Sequence, residues 1–290
     1  MWPEIFRFEA FGLDIPLRSF GLLVAFGFLA GFHLFTRLAR KHLAASDLNP
    51  QKLSDVGWWV LIGVIVGGRL GFVVVNADWF MARPLEILKI WEGGLVMYGG
   101  FILAAFLGVR KARQLGMDSW RVADVGLTAG FLGQAIGRVG CLCVGDDFGS
   151  PTDVPWAITF PDPLPTGSAF PAALAGIPVH PTQIYMSLKA LSLCLLGLWL
   201  LPRKRFHGQV FLALIAGYAV LRYLVEIFRY DSVARGGIFK PGMRPDEVAK
   251  PLDAELLIST SQLVGIATLA LAAFLYHRLS RDPARRVTGP

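Results

Sequence analysis

Charge is scarce in this 290-residue chain: 17% of it is Asp, Glu, Lys or Arg, against roughly 25% in a soluble globular domain. With 54% hydrophobic residues and a mean hydropathy of +0.53, that excludes an ordinary soluble domain and points to a polytopic membrane protein. Cysteine is scarce as well. Cys141, Cys143 and Cys194 give neither a disulfide framework nor a zinc-ligand spacing. No short leader with a small-residue cleavage site is visible, since residues 1–19 mix Glu4, Arg7, Glu9, Asp14 and Arg18; the first apolar run is expected to stay as an anchor. Lysine and arginine are missing altogether between Cys143 and Thr182, a stretch with four aspartates.

Long apolar windows are plentiful. Seven could span a bilayer as helices, near 20–37, 57–75, 94–109, 122–142, 183–201, 209–228 and 257–276. The chain is therefore expected to be an all-α polytopic membrane protein, a single integral domain over residues 1–290. Two long Pro- and Gly-rich connections, 143–182 and 229–256, are expected outside the membrane as a possible cap.

Orientation follows from where the basic residues fall. One side collects fifteen, among them Arg37, Arg40, Lys41, Lys111, Arg113, Lys204 and Arg286; the other collects nine. This predicts an N-terminus outside and a C-terminus in the cytoplasm. The formal charge of +7 is thereby read as topology, and no nucleic-acid partner is expected.

Four basic residues lie inside the apolar windows: Arg69, Arg138, Lys189 and Arg222. Counted from the outer end of its own window, each sits roughly 6–9 Å deep at about 1.5 Å per residue. Snorkelling explains any one of them, but not the glycines around two of them. Gly137 and Gly140 flank Arg138, and Gly67, Gly68 and Gly71 surround Arg69. Such glycines permit close helix approach or leave room for a bulky group beside the guanidinium. Arginine's planar fork suits phosphate, so the expected ligand is the phosphate of an outer-leaflet phospholipid.

The window "YAVLRYLVEIFRYD" sharpens this expectation. Tyr218, Arg222, Glu226 and Arg229 recur at steps of four, four and three, on one helical face. An intrahelical ion ladder would use the same spacing. Tyr98 between glycine pairs, and "HPTQIY" with His180 and Gln183, begin their windows at the same outer level. Asp146 and Asp147 follow the fourth window as a solvated turn or as groups that orient an arginine. Cys141 and Cys143 read as small packing residues, since unactivated buried cysteines are usually inert, with covalent participation as the alternative.

In order along the chain, "LRSFGLL", "VGGRLGFVVVN", "EGGLVMYGG", "GRVGCLCVGDDFG", "HPTQIY" and the Tyr-x3-Arg-x3-Glu-x2-Arg ladder resemble the prolipoprotein diacylglyceryl transferase family. The resemblance implies a bacterial cytoplasmic-membrane enzyme with no metal or organic cofactor. It would transfer the diacylglyceryl group of phosphatidylglycerol to the lipobox cysteine of prolipoprotein signal peptides, forming a thioether and releasing glycerol 1-phosphate. Arg138 matches the family's signature arginine and Arg222 its late arginine. Glu226 would orient Arg222, Tyr218 would contact the headgroup, and Tyr98 would contribute hydrogen bonding to catalysis. Arg69, Gly137, Gly140, Asp146, His180, Gln183 and Arg229 complete the expected phosphatidylglycerol site. The chain departs from the family pattern at Cys141 and Val144, where asparagines are usual, at Asp146 for glutamate, at Tyr98 for histidine and at Phe20 for tyrosine. A divergent member that binds anionic phospholipid without transfer is the alternative reading.

Overall fold

A computed structural model describes residues 1–10, 13–89, 94, 96–230, 237–239 and 256–287. The expected connection 229–256 lies mostly outside these residues. Helices dominate: α1 (Ser19–His42), α2 (Pro50–Val75), a short α3 (Ala77–Ala82), α4 (Met97–Gln114), α5 (Ser119–Val144), α6 (Thr182–Leu200), α7 (Gln209–Glu226) and α8 (Thr260–Ser280). Three two-stranded antiparallel pairs accompany them: β1 (Glu4–Ala10) with β2 (Leu13–Arg18), β3 (Ile158–Thr159) with β4 (Pro178–Val179), and β5 (Gly237–Phe239) with β6 (Leu256–Ser259). The hydropathy pattern did not foretell the N-terminal hairpin.

Local chemistry sets the helix ends. Asn49 caps α2 by accepting the Gln51 N–H at 2.9 Å, and Pro50 supplies a first residue with no N–H to satisfy. Ser259 and Gln262 form a capping box at the start of α8. Arg40, Lys41 and His42 end α1, where positive charge complements the helix dipole.

Among the described residues, six helices are long and apolar enough to cross a membrane: α1, α2, α5, α6, α7 and α8. The helix α4 stands where the third window was expected, but Arg110, Lys111 and Arg113 crowd its last turns. Phe26, Leu29, Leu188, Leu195, Ile266 and Phe274 are exposed along these helices, as lipid-facing side chains are.

The chain divides into two compact units, Thr36–Ala123 and the remainder. In the first, α2 and α4 meet through small residues. A methyl at Gly63 would come within 2.5 Å of the Ala104 Cα, and one at Gly67 would strike the Gly99 carbonyl. Such contacts let backbones approach where lipid offers no hydrophobic drive.

In the second unit the same device joins α1 to α5. A Cβ at Gly27 would lie 2.6 Å from the Gly133 carbonyl oxygen, and one at Gly140 would lie 3.2 Å from Phe20. Gly197 of α6 likewise meets Thr128 of α5. Asp124 is fully buried at the other end of α5. It pairs with Lys204 at 3.0 Å and accepts the N–H groups of Gly208 at 3.0 Å and Phe211 at 2.8 Å, so it caps α7. The connection between α5 and α6 has a core of its own, built from Phe148, Phe160, Phe170, Leu174 and Val179 with Met1 and Tyr230 packed against it.

Candidate functional site

Five ionic side chains are buried together in the larger unit: Arg138 on α5, Lys189 on α6, Arg222 and Glu226 on α7, and Arg229 just beyond α7. Backbone geometry brings them to a common partner. After α5 the chain turns through Gly145 at φ 80° and Asp147 at φ 54°, the left-handed region that a short polar residue tolerates. The turn is tied to the start of α6, where Thr182 donates to the Asp147 carbonyl at 2.5 Å and Gln183 donates to the Asp146 carbonyl at 2.7 Å. Residues 148–150 then pair with 228–230 through Ser150 N–H to Phe228 at 2.9 Å and Tyr230 N–H to Phe148 at 3.2 Å. That pairing sets Arg229 beside Asp147.

Asp147 therefore bridges two arginines. One carboxylate oxygen pairs with Arg138, and the other lies 2.6 Å from Arg229. Burial alone would push this carboxyl up. The guanidinium groups of Arg229, Arg138 and Arg222 outweigh it and hold Asp147 below its ordinary value. The Arg138 guanidinium also approaches the Cys141 sulfur at 3.8 Å.

On α7, Arg222 pairs with Glu226 one turn on and donates to Ser261 of α8 at 3.1 Å, while its Nε has no hydrogen-bond partner. Tyr218, one turn before Arg222, stacks near Phe131 of α5 with ring centroids 5.9 Å apart. Lys189 Nζ lies 4.0 Å from the centre of the Tyr218 ring and makes no hydrogen bond.

The other expected residues are placed as follows. Gly140 packs on Phe20, and Gly137 has only Val24 within reach, at 3.8 Å. Asp146 is exposed and accepts the Asp147 N–H at 2.8 Å, so its neighbour is the arginine partner. His180 sits 3.2 Å from the Tyr185 hydroxyl, and Gln183 braces the 145–147 turn. Arg69 belongs to the smaller unit. Its fork meets the carbonyls of Ile87 at 2.9 Å, Gly94 at 3.3 Å and Glu86 at 2.5 Å, and its guanidinium stands over Phe72 and Phe80. Tyr98 begins α4, and its side chain lies outside the described residues. Sequence reasoning did not anticipate Ser261 as a partner of Arg222, because nothing in the α8 pattern marks it.

A buried, cationic cluster of this kind can bind an anion and stabilise negative charge that develops there. The sequence profile of the prolipoprotein diacylglyceryl transferase family matches residues 8–278. The chain belongs to that family. Relatives named phosphatidylglycerol–prolipoprotein diacylglyceryl transferase include one from Synechococcus elongatus, 35% identical over 77% of each chain. Another, from Ruegeria pomeroyi, is 30% identical over 97% of this chain and 96% of its own. A third, from Bordetella parapertussis, is 32% identical over 93% and 94%. As a diacylglyceryl transferase family member with six membrane-competent helices, the chain is a multi-pass membrane protein.

Proposed function

We propose that this protein transfers the diacylglyceryl group of phosphatidylglycerol to the thiol of a lipobox cysteine in prolipoproteins. The observation that carries the reading is the convergence of Arg138, Arg222 and Arg229 with Lys189 in one buried cluster of a family member. Arg138 and Arg222 hold the lipid phosphate, and Tyr218 contacts the headgroup. Glu226 fixes the direction of Arg222 through their ion pair. The sulfur attacks the glyceryl carbon that bears the phosphate, forming a C–S bond as the C–O bond breaks toward phosphate. Positive field at the site favours the thiolate of a group whose free value is near 8.5. Gly137, Gly140, Asp146, His180 and Gln183 shape the site through the turn and helix contacts described above. Tyr98 adds hydrogen bonding, and Arg69 acts at lipid depth from its own helix.

The protein works in the bacterial cytoplasmic membrane with its N-terminus outside and C-terminus in the cytoplasm, the 143–182 and 229–256 connections capping the outer end. The test is incubation of the purified protein with phosphatidylglycerol vesicles and a lipobox peptide. The peptide gains the mass of one diacylglyceryl group as a thioether. A protein that binds the vesicles and leaves the peptide unmodified is a phospholipid binder, and the transferase reading falls.

A further inference from the structure

Lys189 has no counterpart in the function assigned above, yet it is the side chain whose placement most needs one. It is 5% exposed on α6, its Nζ makes no hydrogen bond, and no carboxylate pairs with it among the described residues. A buried ammonium without a partner is costly, and packing against the Tyr218 face at 4.0 Å offsets only part of that cost. The ionic groups whose charge reaches it are Arg138, Arg222, Arg229 and Asp147. Three of those four share its sign. An anionic phosphate beside it favours the protonated form of Lys189. With that lipid bound, Arg138, Lys189, Arg222 and Arg229 stand against Asp147 and Glu226, four cations against two carboxylates, an excess of two positive charges among the described residues.

That excess has a chemical match, and the match rests on the transferase reading. A phosphodiester lipid brings one negative charge. When the thiol sulfur forms its bond to the glyceryl carbon, the electron pair of the breaking C–O bond goes to the phosphate oxygen, and the thiol proton leaves to water. The departing phosphomonoester carries close to two negative charges, since its second pKa is near 6. Two excess cations are therefore better suited to the leaving group than to the bound lipid, and only such differential binding accelerates the chemical step. We propose that Lys189 is a catalytic residue of this protein that contacts the departing phosphomonoester and neutralises the second charge it acquires.

The inference separates Lys189 from a lipid-binding residue. In the vesicle and peptide assay, wild-type turnover first establishes that transfer occurs; its absence would sink the transferase reading and this proposal with it, whereas the variants below test Lys189 alone. Lys189→Met, of similar length and apolar, is then expected to lower kcat at least tenfold while KM for phosphatidylglycerol moves less than threefold. Inhibition by added glycerol 1-phosphate weakens in parallel, and Lys189→Arg recovers most of kcat. A Lys189→Met variant with wild-type kcat, or with a raised KM alone, overturns the proposal. So does a Lys189→Arg variant as slow as Lys189→Met while both melt near the wild-type temperature, because charge would then not be what the position supplies.

Discussion

Arg138 and Asp147 are nine residues apart in the chain and ion-paired in space, joined by a turn whose last residue adopts a left-handed backbone. The same carboxylate holds Arg229 at 2.6 Å through its other oxygen. One acid thus fixes two guanidinium groups, one from α5 and one from just beyond α7. The bridge also has an electrostatic consequence that can be measured.

Asp147 binds its arginines as a carboxylate, and its folded pKa lies below the ordinary 3.8. A depressed carboxyl contributes stability that is complete above the unfolded value and is lost only as pH falls through the folded one. The difference in melting temperature between wild type and Asp147→Asn is therefore expected to be constant from pH 7 to about 4 and to shrink below that. Thermal unfolding in detergent across this range measures it. A difference that shrinks already between pH 7 and 5 would contradict the bridge.

Asp124 and Lys204 form a buried ion pair away from the Asp147 cluster, and Asp124 also caps α7. Removing one partner strands the other, at a cost of about 3–5 kcal/mol. Asp124→Ala is expected to destabilise strongly, and the Asp124→Ala, Lys204→Met pair to destabilise by less than the sum of its parts. Denaturant titrations of the three variants check the coupling.

Cys141 and Cys143 are free thiols in α5, and Cys141 lies 3.8 Å from the Arg138 guanidinium. They serve packing. The Cys141→Ser, Cys143→Ser double variant is expected to keep transfer within about threefold of wild type, since unactivated cysteines are inert and the change keeps the side chain's size. Loss of transfer on thiol alkylation of wild type, but not of this variant, would mark their accessibility and not their chemistry.

The helices were legible because a membrane makes hydropathy decisive: the windows at 183–201 and 209–228 fall within two residues of α6 and α7. The ladder Tyr218, Arg222 and Glu226 was legible because helical spacing alone puts it on one face. The arginine partner was only half legible. Asp146 and Asp147 are adjacent in sequence, and the turn after Gly145 decides which of them reaches inward. The partners of Arg69 were not legible, because backbone carbonyls of residues 86–94 leave no pattern in side-chain chemistry. The core of the connection between α5 and α6 escaped for a related reason. Phe148, Phe160 and Phe170 are scattered through a Pro- and Gly-rich stretch with no helical or strand period.

The central claim is that Arg138 and Arg222 hold the phosphate that leaves. Its most direct test is the turnover of Arg138→Ala and Arg222→Ala in the vesicle and lipobox-peptide assay, with each variant's melting temperature recorded beside it. Removing one such charge is expected to slow transfer at least about a hundredfold, in protein that still melts cooperatively. Near-wild-type turnover in both variants would contradict the account.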